Sequence, residues 1–79
     1  MEEIIKDLQT IEVNTFEFNY DFCDLMEDLD TIWYKLENLE ENTDSKQMDV
    51  VNVQRQVKYS NWDECTQMIK DLIFRMESR

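Results

Sequence analysis

Apolar side chains in the middle of the chain recur at alternating spacings of four and three residues. This spacing places them along one side of a helix, whereas a strand would divide them between its two faces. It predicts a long helix over residues 15–42, with Asn14 as its N-cap and Glu17 as the acid three positions later. The apolar stripe of this helix contains Phe18, Phe22, Leu25, Leu29, Ile32, Leu36 and Leu39.

A shorter apolar pattern precedes this helix. Ile4, Leu8 and Ile11 recur at helical spacing, and two acids near the start of the segment lie where they interact favourably with the helix dipole. These features predict a short first helix over residues 2–12.

The second half of the chain resumes the apolar pattern after a polar run at residues 40–45, which predicts a turn. A second long helix is expected from Lys46 onwards. The step of five residues from Val57 to Trp62 breaks its apolar phase, and residues 60–64 have the pattern of a capping box. We therefore expect a kink or a brief interruption near residues 59–61.

Two segments also fit a strand. Residues 11–18 can be divided into two short strands around an Asn-Thr turn, and alternate positions of residues 51–59 are mostly apolar. The pattern alone leaves helix and strand open for residues 10–20 and 49–59. The composition favours helix, because the chain has no Gly and no Pro, and tight hairpin turns need residues that accept positive φ.

These elements predict an all-α fold in one domain over residues 1–79. The short first helix packs on an antiparallel hairpin of two long helices, the second of them kinked near residue 60. A single core in a chain of this size contributes only about 3–5 kcal/mol, so we expect a second copy to complete a homodimeric bundle. Met26, Trp33 and Trp62 lie on or beside the apolar stripes and are expected to make core or oligomer contacts.

The net charge of −11 is unevenly divided along the chain. Residues 1–45 contain fourteen acids and two bases, whereas residues 46–79 contain five acids and six bases. Nucleic acids and anionic membranes bind cationic surfaces, so this charge argues against both as direct ligands. A basic protein is the expected partner.

The predicted long helix has uncompensated carboxylates opposite its apolar stripe. Four acids follow one another at spacings of four, three and four residues, which would stack them on one helical face about 5–6 Å apart. Like charges at these spacings destabilise a helix, so their retention indicates that the negative field is used. The alternative is a solvated face that serves solubility alone. The stacked acids are Glu17, Asp21, Asp24 and Asp28, and the full candidate partner-binding set is Glu17, Asp21, Asp24, Glu27, Asp28, Asp30, Tyr20 and Tyr34, with both tyrosines expected on the outward side.

The chain lacks the side chains of common catalytic and metal sites. It has no His for acid–base chemistry and no Gly for a phosphate-binding loop. We therefore expect no enzymatic activity, no cofactor and no metal site. Cys23 and Cys65 lack the spacing of a zinc or redox motif and are expected to be reduced, with Cys65 inside the fold and Cys23 outside it.

These observations favour a non-enzymatic binding module whose negative helical face inhibits or regulates a basic, nucleic-acid-handling protein. A nucleic-acid mimic is one form of such a module. In size and acidic composition the chain resembles the small accessory proteins of bacteriophages and mobile elements that block host or rival machinery. The other hypothesis is a helical homo-oligomeric scaffold or adaptor that acts through its apolar stripe.

The start of the chain, Met1-Glu2-Glu3, lacks the cationic opening of a signal peptide, and no uncharged stretch approaches the length of a membrane span. We expect a cytoplasmic protein without a membrane partner, located in the host cytoplasm if it is encoded by a phage.

Overall fold

The computed structural model describes residues 1–77, and within that range it contains four α-helices and no strand. The helices are α1 (Glu2–Phe16), α2 (Phe22–Glu37), α3 (Asp44–Val57) and α4 (Trp62–Glu77). The predicted all-α class is confirmed, and both segments that also fitted a strand are mainly helical.

The four helices form an antiparallel bundle in which each helix packs against two others. α1 and α3 each contact α2 and α4, so α1 lies diagonally across from α3, and α2 lies diagonally across from α4. The bundle measures 34 × 21 × 20 Å along its principal axes. The α1–α2 connection (residues 17–21) and the α3–α4 connection (residues 58–61) lie at the same end of the bundle, which we call the turn end.

The core is built from one apolar face of each helix, as expected for amphipathic helices. The central part of the predicted stripe is correct, because the four core side chains of α2 are at most 1% exposed. Full burial of each such side chain contributes about 1.5–3 kcal/mol. The core contains Ile4, Leu8 and Ile11 from α1; Leu25, Leu29, Ile32 and Leu36 from α2; Val50 and Val57 from α3; and Cys65, Ile69, Leu72, Ile73 and Met76 from α4.

The prediction of one continuous helix over residues 15–42 is wrong. The first helix is longer than predicted and continues to Phe16, and residues 17–21 form a connection before α2 begins. Phe18 and Phe22, which the pattern placed in the apolar stripe, are 65% and 42% exposed. They lie at the turn end of the bundle and outside the core.

Backbone hydrogen bonds explain where α1 ends. The Phe18 N–H donates to the Thr15 carbonyl at 3.2 Å, and the Asn19 N–H donates to the Asn14 carbonyl at 2.9 Å. This pair of bonds is a Schellman C-cap, in which the residue after the cap adopts a left-handed conformation. Phe18 has this conformation, with φ 58°. Asn14 is therefore part of the end of α1 and is not the N-cap of a following helix.

The second helix begins at a capping box. The Asp21 carboxylate accepts a hydrogen bond from the Asp24 N–H at 2.8 Å, and the Asp24 carboxylate accepts one from the Asp21 N–H at 3.5 Å. These bonds satisfy backbone donors that have no partner inside the helix. The start of α2 is thus set by two acids that the sequence pattern assigned to a charged helical face.

The α2–α3 connection agrees with the predicted turn, although α2 ends earlier than expected, at Glu37. Thr43 is buried in this connection, and its hydroxyl donates to the Leu36 carbonyl at 2.9 Å. This bond joins the end of α2 to the residue that precedes α3, so the chain reverses direction here.

The predicted interruption near residues 59–61 is confirmed, but it is a complete turn. Asn61 caps α4, because its side-chain carbonyl accepts the Glu64 N–H at 2.9 Å and its amide donates to the Glu64 carboxylate at 3.2 Å. After this turn α4 packs on α1 and α3. The predicted hairpin of two long helices is therefore replaced by four helices of similar length.

Candidate functional site

The acids predicted to bind a partner do not form one helical row. Glu17 lies in the α1–α2 connection and Asp21 is the N-cap of α2, while the other four acids belong to α2. The stacking expected from a continuous helix at Glu17, Asp21, Asp24 and Asp28 is wrong for this reason. Because α1 and α2 pack side by side, the surface is broader than a single row and includes acids of both helices.

Tyr20 is half-buried, which corrects the expectation that it faces outward. Its hydroxyl donates a hydrogen bond to the Asp28 carboxylate, and Asp28 is itself half-buried. Burial, followed by the hydrogen bond to Asp28, raises the pKa of the Tyr20 phenol above its ordinary value of 10.0. The pair therefore connects the α1–α2 turn to the first half of α2.

Lys35 is the only base of α2, and it binds acids of α1. Its ammonium group contacts the Glu3 carboxylate at 3.4 Å and also forms an ion pair with Asp7. The hydrogen bond to Asp7 is the largest cause that raises the Lys35 pKa above its ordinary value. One of the two bases among residues 1–45 is thus occupied by carboxylates of the same chain.

The contacts of Tyr20 and Lys35 lie at opposite ends of a shallow groove between α1 and α2. The groove has a volume of about 250 Å³, and Thr10 and Thr31 lie on its walls. Ion pairs between residues so distant in sequence leave no local signal, so the spacing of residues along the chain does not reveal them.

The remaining candidates face solvent. Glu27 and Asp30 are exposed on α2, and Asp30 accepts a hydrogen bond from the Gln54 side-chain amide of α3 at 2.6 Å. Tyr34 is 61% exposed and packs edge-on against Trp33, with ring centroids 5.1 Å apart. The side chains of Met26, Trp33 and Trp62 are half-buried against the core.

A second surface, which the sequence analysis missed, lies at the turn end. Phe16, Phe18, Phe22 and Tyr59 are exposed there, Tyr59 by 90%. A groove of about 340 Å³ lies beside them, with Phe22 and Trp62 among its lining residues. The apolar spacing assigned two of these phenylalanines, Phe18 and Phe22, to the core, but the interruption between α1 and α2 leaves both exposed.

The thiols are placed as expected, with Cys23 exposed and Cys65 buried, and both are free. Burial raises the pKa of the Cys65 thiol, which favours its protonated form. Among residues 1–77, no group of three or more acids or cysteines is arranged to hold a metal ion.

No helix in the described part of the chain has both the length and the apolar character needed to cross a membrane. Comparisons with known protein families, curated proteins and solved structures find no match.

Proposed function

We propose that this protein is a non-enzymatic binding module that presents the carboxylates of α1 and α2 to a basic surface of another protein. A partner surface that otherwise binds nucleic acid has the required positive charge. By occupying that surface, this protein would inhibit or regulate a nucleic-acid-handling protein. A cytoplasmic location fits such a partner.

The observation that carries this proposal is the charge of two adjacent helices. Residues 1–45 have fourteen acids and two bases, and the helices in this range pack side by side. Since Lys35 already binds Glu3 and Asp7, Lys6 is the one base in this range outside that cluster. The acidic surface therefore keeps most of its negative charge.

The acidic surface extends over the length of two helices. Helices of 15 and 16 residues are about 24 Å long, and two of them side by side form a surface about two helices wide. A field of one sign over such an area steers a basic partner and selects against acidic ones. Its strength falls with salt because exposed charges are screened over about 8–10 Å.

The test captures proteins from the native cell on the immobilised protein at low salt and elutes them with high salt. The decisive variant carries Glu17→Lys, Glu27→Lys and Asp30→Lys, three exposed acids outside the α2 capping box and the Tyr20 contact. A matched control carries Asp63→Lys, Asp71→Lys and Glu77→Lys on α4, which changes the net charge equally.

We expect a basic nucleic-acid-binding protein to be captured by the wild type and by the α4 control, and to bind the first variant about tenfold or more weakly. The purified partner should then release bound nucleic acid when this protein is added. Equal affinity for the two triple variants would contradict the proposal, provided that both retain the helical content of the wild type.

The homo-oligomeric scaffold is the alternative function. This hypothesis requires the apolar stripe to be exposed in a single chain. The side chains of Leu25, Leu29, Ile32 and Leu36 are instead buried within one chain. A second copy would have to use other apolar surface, of which the turn end has the largest aromatic group. Sedimentation velocity at micromolar concentration measures this directly, and a stable dimer would favour the scaffold.

A further inference from the structure

Exposed aromatic residues gather where the α1–α2 and α3–α4 connections meet. Phe16, Phe18 and Phe22 surround the first connection, and Tyr59 lies in the second. Single exposed apolar residues are ordinary on protein surfaces, but a cluster of large rings is typical of interaction sites. The cluster thus requires an explanation beyond the packing of the bundle.

The backbone supports this view at Phe18. A left-handed conformation is unfavourable for a residue with a large side chain, and most helices with this C-cap have Gly at the same position. Phe18 gains little packing in return, since it is 65% exposed. The chain retains an aromatic ring in solvent at a position where the fold alone would favour Gly or Asn.

A concave apolar site lies beside the exposed rings. Its volume is about 340 Å³, and its walls include Phe22, Leu25, Val57 and Trp62. Half-buried and exposed rings next to such a groove form the kind of surface that accepts the apolar anchors of a partner helix.

The charges around this surface define what binds there. Glu17, Asp21 and Asp24 flank the phenylalanines in sequence. Lys58 is the one base that lines the groove. A second copy would bring the same acids against these acids, and like charges disfavour that pairing. A segment with apolar and cationic side chains has the complementary chemistry.

We propose that the turn end of the bundle docks an amphipathic cationic helix of the partner, with its apolar side chains against the rings and groove and its lysines or arginines against the flanking carboxylates. This inference rests on the proposed function, because it states where the basic partner is anchored. The acidic sides of α1 and α2 attract the partner, and the aromatic turn end provides the apolar contact that charge alone lacks.

The test uses the full chain and two probes. One is a synthetic helical peptide with leucines on one face and lysines on the other, and the second is polylysine, which has the charge without the apolar face. The variant carries Phe16→Ser, Phe18→Ser and Phe22→Ser. The control is Met48→Ser, which removes an apolar side chain that is 55% exposed on α3.

We expect the triple phenylalanine variant to bind the amphipathic peptide about tenfold or more weakly than the wild type does, and polylysine equally well. The Met48→Ser control should bind both probes as the wild type does. Unchanged affinity of the phenylalanine variant for the amphipathic peptide would overturn the inference and leave the proposed function standing. Unchanged polylysine binding by the Glu17, Glu27 and Asp30 charge-reversal variant would instead contradict the proposed function.

A second measurement does not depend on the folding of the phenylalanine variant. The chain has two tryptophans, so Trp33→Phe leaves Trp62 as the only indole. Its emission should shift to shorter wavelength when the amphipathic peptide fills the groove. Binding without any change in Trp62 emission would overturn the inference. A wild-type dimer that the phenylalanine variant converts to a monomer would also overturn it, because the turn end would then hold a second copy.

Discussion

At the residue scale, Phe18 determines how the first two helices are joined. A side chain with a Cβ atom in the left-handed region costs about 1–2 kcal/mol, and Gly or Asn avoids most of this cost. The φ of 58° at Phe18 therefore lowers the stability of the fold. A substitution that tolerates this conformation should recover part of it.

We predict that Phe18→Gly and Phe18→Asn leave the free energy of unfolding unchanged or raise it by up to about 1 kcal/mol, as measured by urea denaturation. Met48→Gly is the control, since an exposed site inside α3 should lose about 1 kcal/mol. If Phe18→Gly lowers the free energy of unfolding as much as Met48→Gly does, the backbone at position 18 is helical and not left-handed.

Tyr20 and Asp28 form the other contact whose behaviour can be predicted for single residues. Burial, followed by the hydrogen bond to Asp28, raises the Tyr20 pKa, so folding favours the neutral phenol. The stability that this contact provides is fully present below pH 10.0, the unfolded pKa, and is lost as the pH rises through the higher folded value.

We predict that Tyr20→Phe lowers the free energy of unfolding by about 1 kcal/mol at neutral pH, because Asp28 loses its donor. The difference between the two proteins should shrink above pH 10. Subtracting the tyrosinate absorbance titration of Tyr20→Phe from that of the wild type isolates the Tyr20 curve. A midpoint for this curve at or below 10.0 would argue against the contact.

At the scale of elements, capping side chains decide where α2 and α4 begin. Asp21 and Asn61 both accept the backbone N–H three residues later, at 2.8 Å and 2.9 Å. Asp21 is also a candidate for partner binding, so its charge and its cap must be separated experimentally.

We predict that Asp21→Ala lowers the free energy of unfolding by about 1 kcal/mol. Asp21→Asn should lower it much less, since Asn accepts the same hydrogen bond without a charge. Thermal unfolding followed by circular dichroism measures both. Equal destabilisation by the two variants would show that the charge near the helix dipole matters more than the hydrogen bond.

The helix boundaries show which signals the sequence carries. The break before α4 was predictable, because the apolar phase slips between Val57 and Trp62 and Asn61 supplies a recognisable cap. The break after α1 was not, since the apolar spacing continues through the connection at Phe18 and no Gly marks the turn.

The candidate site was predictable only in its charge. The excess of acids in the first half of the chain can be counted from the sequence. Whether a given acid caps a helix, accepts from a tyrosine or pairs with Lys35 depends on how distant elements are brought together, as the contact of Lys35 with Asp7 illustrates. The pairing of α4 with α1 is likewise set by packing across the whole bundle.

At the scale of the whole molecule, the acidic surface opposes the stability of the fold. The net charge of −11 means that carboxylates of this small chain repel one another, and much of this repulsion is within α1 and α2. The apolar core of all four helices offsets it. A surface selected for stability alone would place lysines among these acids, and the proposed binding function gives a reason to retain the cost.

Glu27 provides the sharpest test of this cost. Asp24 and Asp30 lie three residues before and after it on α2, and Glu27 is exposed. A lysine at this position would replace two repulsive neighbours with two attractive ones, each pair contributing about 0.2–0.5 kcal/mol.

We predict that Glu27→Lys raises the free energy of unfolding by about 0.5–1 kcal/mol at low salt while weakening the binding of a basic protein. The gain should shrink in 1 M salt, where the screening length is about 3 Å, and this comparison separates charge effects from helix propensity. Urea denaturation at the two salt concentrations and binding measurements on the same variant supply both numbers. If Glu27→Lys gains stability but binds polylysine as the wild type does, the Glu27 carboxylate destabilises the fold without contributing to recognition. Its role would then be solubility.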